Sequence, residues 1–383
     1  MSVDPENLPG YRAVRITGMD ADSPAAELAA IDSVRRRADY PNFVHAGAGS
    51  FGAAREREEG GWELLAYFGQ AWPQESRDIL SHDFRRMTAT AEEAGDEAAR
   101  DQYTRAYRWL EREAVNELDA NGTRYRIVRA TPFIRNGPNG PEPPRPSDPD
   151  PNPDAAGADR LQDPACGLVA DPARPVGLTD GLVLMELLQA GWPEGSVSHQ
   201  IRLDEAKAAL LHPGGVLLPT VYTIGERTAE GDWKPTVMDT HPTPQRARDA
   251  LVRHLRVRVP WQRELSDEEA AAYRDAGDQV EAGRLDEVSA QGETWRVVRV
   301  TRLLRFGPDG PEGPRDSDPD QDPIYAGLAL DEDPEPEPED PDENVVPEMS
   351  ENEQRLMRLF EEEHARRTKH KAAKDDSPGD PAG

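Results

Sequence analysis

At 383 residues the chain has room for roughly two or three domains, taking about 150 residues for each. Its hydrophobic content is 36%, and its 74 acidic residues and 36 prolines crowd into a few stretches, which leaves enough apolar residues elsewhere for two modest cores. The formal charge of −29 repels a phosphate backbone and argues against DNA as a partner, and the single cysteine, Cys166, excludes an intrachain disulfide or a Cys-rich metal site.

The opening MSVDPENLPGYRAVR lacks the apolar core of a secretion signal, and no run approaches the roughly 18 apolar residues of a membrane span. The expectation is a cytoplasmic protein with no membrane contact. Residues 11–17 read as a strand and residues 25–37 as a short helix. Residues 51–57 and 62–68 then form a hairpin around Glu58-Glu59-Gly60-Gly61. A helix opens at Pro73, where a missing N–H costs nothing, with Leu80 and Phe84 on one face. A longer polar helix follows over residues 95–118, and a strand over residues 123–135 closes the unit.

That order then repeats. Residues 117–157 and 287–327 align without a gap at an offset of 170, and roughly half of their positions are identical. The shared frame holds Gly122/Gly292, Arg126/Arg296, Arg129/Arg299, Arg135/Arg305 and the string G-P-x-G-P-E-x-P-R-x-S-D-P-D. Upstream, Pro73-Gln74-x-x-Arg77-Asp78-x-Leu80 matches Pro244-Gln245-x-x-Arg248-Asp249-x-Leu251 at 171. The second copy accordingly predicts a strand at 182–188, a helix at 203–211, a hairpin of 219–226 and 233–238, helices from Pro244 and over 267–285, and a strand at 294–306.

The reading is an α+β chain built by tandem duplication of a β-α-β-β-α-(α)-β unit. That order resembles the split βαβ of ferredoxin-like folds with one helix added, and two such units pack as an intrachain pseudo-dimer. The expected organisation is copy 1 at 1–157, a linker at 158–175, copy 2 at 176–330, an acidic Pro/Glu linker without fixed structure at 331–349, and a tail helix with a disordered C-terminus at 350–383. The tail from Asp331 onward holds 18 acids against 7 basic residues. Its helix opens with a capping box, Ser350 and Glu353, and carries a narrow stripe of Leu356, Leu359 and Phe360. That stripe docks either on its own domain or in a groove of a protein partner. Acidic mimicry of nucleic acid by the tail rests on its charge alone.

The candidate sites are arginines. Alternation places Tyr125, Ile127, Arg129, Thr131 and Phe133 on one apolar face, and Arg299 on the matching face of copy 2. An arginine there needs a carboxylate, as from a covering helix, or a bound small anion such as phosphate or carboxylate. Arg126 and Arg296 fall on the opposite face as solvated edge residues. The repeated G-P-x-G-P-E string is an ordered loop, either a strap across the domain or a contact surface using Arg145/Arg315 and Glu142/Glu312. The histidines at 45, 82, 199, 212, 241, 254, 364 and 370 form no ligand spacing, and no nucleophile elbow appears, so no catalytic residue, metal or cofactor is indicated.

With its R-I-V-R-A, I-R-N-G-P-N-G-P-E-P-P-R-P-S-D and P-Q-E-S-R-D segments, the chain resembles an uncharacterised actinobacterial (streptomycete-type) family of unknown function, over both copies and not the tail. Copy 2 departs from the family's P-P-R-P run at Gly313-Pro314-Arg315-Asp316. The resemblance implies a cytoplasmic domain and carries no activity. Two readings follow: a non-enzymatic binding or protein-interaction protein, or an enzyme or sensor for a small anionic metabolite using Arg129 or Arg299.

Overall fold

A computed structural model describes residues 24–151, 162–228, 231–235, 240–332 and 349–375. The strand expected at 11–17, most of the acidic linker and the chain beyond Asp375 lie outside them. The chain is shared between two units, Met1–Thr223, Pro235–Pro244 and Val298–Glu335 in the first, and Ile224–Lys234, Gln245–Val297 and Pro336–Gly383 in the second.

In the first unit, helix α1 (Pro24–Asp39) leads into strands β1 (Asn42–His45), β2 (Ser50–Glu56) and β3 (Trp62–Leu64). Helices α2 (Pro73–Glu93) and α3 (Glu97–Leu110) follow, then β4 (Glu117–Ala120), the long β5 (Thr123–Gly137) and the short β6 (Gly140–Pro141). Strand β7 (Val169–Ala170), helices α4 (Leu178–Gln189) and α5 (His199–Leu211), and most of β8 (Gly214–Arg227) come next. In the second unit β9 (Trp233–Pro235) precedes α6 (Pro244–Arg253), a π-helical turn (His254–Arg258), α7 (Val259–Gln262), α8 (Asp267–Gly283) and β10 (Glu287–Ala290). Strand β11 (Glu293–Gly307) returns the chain to the first unit, where β12 (Gly310–Pro311) folds back on it, and α9 (Glu351–Asp375) completes the second.

The curled sheet of the first unit runs β7-β3-β2-β5-β11-β8, and β7 with β3, β3 with β2, β2 with β5 and β5 with β11 pair antiparallel. Strand β5 is buried along nearly its whole length because both faces are covered. On one face Tyr125 and Ile127 pack with Leu80 and Phe84 of α2 and Leu110 of α3, and the Phe84 and Tyr125 rings meet edge-on at 4.8 Å. On the other, Val128 and Ala130 join Trp62, Phe68 and Leu304. Strands β5 and β11 pair with Arg302 opposite Pro132, two positions 170 apart, so matched stretches of sequence cross here head to tail.

Two local expectations are corrected. The apolar run at 182–188 is not a strand but part of α4. Its buried residues, Gly181, Leu184 and Leu187, have helical spacing, and a run rich in Leu and Met has little of the β-branched content that favours a strand. The polar helix at 95–118 stops at Leu110, because Asn121 and Gly122, at φ +49° and +75°, form the two-residue turn that brings β4 back onto β5. In the stretch expected as linker, Val169 and Ala170 add a strand beside β3, with half-buried Cys166 against the same core.

The second unit centres on Trp295, which is fully buried with the Tyr273 ring 5.8 Å away. His254 lies 6.5 Å from Trp295, and burial, reinforced by the charges of Arg258 and Arg263, lowers its pKa to about 4. The folded chain therefore resists protonating His254 whereas the unfolded chain does not. Stability from this group is complete above the ordinary histidine value and is lost as pH falls from about 6.5 towards about 4. His254→Gln is expected to remove about 1–3 kcal/mol of that loss, read as a flatter plot of unfolding free energy against pH.

Candidate functional site

Each long strand ends in a tight turn that sends the following loop back across the sheet. After β5, Pro141 pairs with Asn136, and Glu142 donates its N–H to the carbonyl of Arg135. The Glu142 carbonyl then accepts the N–H of Arg299, 2.9 Å away on β11. The loop after β12 does the converse. Glu312 donates to Arg305, and its carbonyl accepts from Arg129 on β5 at 2.8 Å. Each loop thus becomes a strap over the other long strand.

The side chains complete the exchange. Arg129 donates from Nε to both oxygens of Asp318, at 2.8 and 3.0 Å, while Arg299 donates to both oxygens of Asp148 at 3.2 Å. Within each strap, Arg145 Nε lies 2.6 Å from Glu142 and Arg315 Nε 2.6 Å from Glu312. Asp148 and Asp318 also accept the backbone N–H of Arg145 and Arg315, which is how an Asp before proline fixes a turn. Burial would lower the pKa of Arg299, but the charges of Asp148 and Glu142 outweigh it and hold the guanidinium above its usual value. The same site pushes the Tyr222 phenol upward, first by burial and then by the charge of Asp148.

The four candidate arginines therefore fall into two pairs, Arg129 with Arg315 about Asp318 and Arg299 with Arg145 about Asp148, and each faces a carboxylate of this chain. The carboxylate opposite Arg129 comes from a strap and not from a covering helix, because the covering helices sit over Tyr125 and Ile127 further along β5. The exposed-edge expectation fails for Arg126, which is 7% exposed and held by Glu117, Asp309 and the carbonyl of Pro311. The β4 hairpin supplies the first of those partners. Arg296 is half-buried, beside Glu287 and 4.6 Å over the Trp233 ring.

The two halves differ where the ligand question is sharpest. Thr220 accepts from Arg299 at 2.8 Å, but its counterpart at the 171 offset is Gly49, where an added Cβ would meet Arg129 Nε at 2.8 Å. Next to Gly49 a small cleft of about 70 Å³ enters the first unit. Its walls are Ala, Gly, Pro and Val with four neutral polar side chains, Ser50, Gln70, Thr223 and Thr240, and one charged one, Arg302. Arg302 is 1% exposed, bonds both oxygens of Asp163 at 2.6 and 2.9 Å and donates to the Pro219 carbonyl. Its Nε is buried with no hydrogen-bond partner among the described residues. Sequence reasoning missed Arg302 because its repeat counterpart is Pro132. That break in the repeat was the available signal.

A family model for a family of unknown function, DUF5954, matches residues 23–321. The chain belongs to that family. The match takes in both straps, both long strands and the cleft of this DUF5954 chain, and stops before α9. No curated protein and no solved structure matches it. Among the described residues no group of three or more His, Cys, Asp or Glu could hold a metal ion, and no helix is long and apolar enough to cross a membrane.

Removing one partner of a buried ion pair strands the other charge. Arg129→Ala and Arg299→Ala are each expected to cost about 3–5 kcal/mol in denaturant unfolding, with the larger loss at Arg129, whose pair is the more buried.

Proposed function

We propose that this DUF5954 chain is a non-enzymatic binding or protein-interaction protein on a duplicated α+β core, with the copies at 1–157 and 176–330 paired about Pro132 and Arg302 as an intrachain pseudo-dimer. Supporting the pairing are the reciprocal Arg129–Asp318 and Arg299–Asp148 contacts, which relate positions 170 apart. The cleft beside that pairing is the binding site in this reading, and its ligand is an uncharged molecule or segment bearing a carbonyl or similar acceptor.

The observation that carries the reading is the chemistry of the lining. Arg302 is the sole ionisable group among the residues that line the cleft, and Asp163 neutralises it. A wall of this kind offers hydrogen bonds and apolar contact, with one buried donor, Arg302 Nε, unmet. The competing reading, a sensor or enzyme for a small anion at Arg129 or Arg299, requires guanidinium groups that are open to ligand, and each already holds an aspartate.

Thermal unfolding of the wild type and of Ala48→Trp, which plugs the exposed mouth of the cleft, separates the two. Neutral, carbonyl-bearing ligands are expected to stabilise the wild type, by about 2.7 kcal/mol at a hundredfold excess over Kd, and not the plugged variant. Stabilisation by phosphorylated or carboxylated metabolites that disappears in Arg129→Ala is the contrary result.

A further inference from the structure

The second unit carries its own tail helix on the face that contains the π-helical turn. Arg256 on that turn is 5% exposed and faces Asp278, Glu281 at 3.0 Å and Glu363 of α9 at 3.5 Å. Glu363 is the one described side chain of α9 that is fully buried. One turn further along, Arg366 bonds Glu281 at 2.7 Å, and Arg367 reaches the Asp249 carbonyl at 3.2 Å while bonding Glu363. Two turns before Glu363, Arg355 donates to the carbonyls of Leu265 and Pro260. Leu356 and Leu359 are only half-buried, and Met357 and Phe360 stand 47% and 46% exposed.

The helix is thus held by charge and hydrogen bonds more than by apolar burial. The Arg366 and Arg367 pairs are partly exposed, contribute about 0–1 kcal/mol each and are screened by salt, so the attachment around the buried Arg256–Glu363 contact loosens as salt rises. A π-helical turn inside a helix often marks a functional position. Here it presents Arg256 at the centre of the contact.

We propose that α9 is a self-docked latch on a helix-binding surface of the second unit. The surface is built around Arg256, Glu281 and the carbonyls of Asp249, Pro260 and Leu265. Its charges specify the partner that displaces α9: an amphipathic helix with an arginine, a carboxylate two turns later, and paired arginines one turn after that, the pattern of Arg355, Glu363, Arg366 and Arg367. As a segment of the same chain α9 competes as an intramolecular ligand, so the free protein is latched and a partner must compete.

The test uses the full chain, wild type and Glu363→Arg, with a fluorescent peptide spanning residues 349–375 as the competing helix. The wild type is expected to bind the peptide weakly. The variant, whose own helix meets Arg256 with a like charge, is expected to bind it about tenfold tighter or more. A peptide carrying the same substitution should bind neither. Equal affinity of both proteins for the unmodified peptide, or no binding to either, overturns the proposal. If circular dichroism shows the variant unfolded, hydrogen exchange on the wild type decides. Faster exchange at 355–367 than in α8 as salt rises to about 0.5 M supports the latch, and salt-independent exchange overturns it.

Discussion

The structure turns on two arginines, buried Arg129 on β5 and largely buried Arg299 on β11, that each take a carboxylate from the strap following the other long strand. An unpaired guanidinium in that position costs several kcal/mol, so a fold that buries Arg129 and Arg299 must deliver Asp318 and Asp148 to them. The straps are the means of delivery. Their turns, prolines and internal pairs to Glu142 and Glu312 fix the aspartates in place before any ligand is considered. Gly137 and Gly307 answer the same demand: at both positions a Cβ would strike a helix-end carbonyl, of Asp39 at 2.1 Å and of Leu211 at 2.5 Å. Only glycine lets each strand run past its helix and turn into its strap.

With the symmetric positions closed, whatever differs between the halves acquires weight. Gly49 stands where the other half has Thr220, and Pro132 stands opposite Arg302, at the centre of the crossing. Both differences border the cleft of the first unit, and both open space or alter hydrogen bonding there. Sequence matches supply the framework, and sequence mismatches border the cleft. In the second unit the corresponding asymmetry is α9, a helix held on its surface by Glu363 and Arg366.

Much of the framework was legible in the sequence because its signals are local. Proline at helix starts, the hairpin of β2 and β3, and the Ser350–Glu353 capping box all appear where residue chemistry placed them. The four arginines singled out by repeat and alternation come together in two pairs, Arg129 with Arg315 and Arg299 with Arg145. What local chemistry could not supply was the partner of each, since Asp318 lies 189 residues from Arg129. The run in α4 was misread because a short, continuously apolar segment has no period to distinguish helix from strand. Arg126 was misread because the residues that cover it, Glu117 and Asp309, are placed by the fold and not by spacing.

The most direct measurement is a pair of double-mutant cycles in denaturant unfolding. One combines Arg129→Ala with Asp318→Ala, and the other combines Arg129→Ala with Asp148→Ala. If the straps exchange between repeats, the first cycle shows a coupling energy of about 1–3 kcal/mol and the second stays within about 0.5 kcal/mol of additivity. Coupling of Arg129 to Asp148, or none to Asp318, contradicts the crossed arrangement on which this account of the fold and its cleft depends.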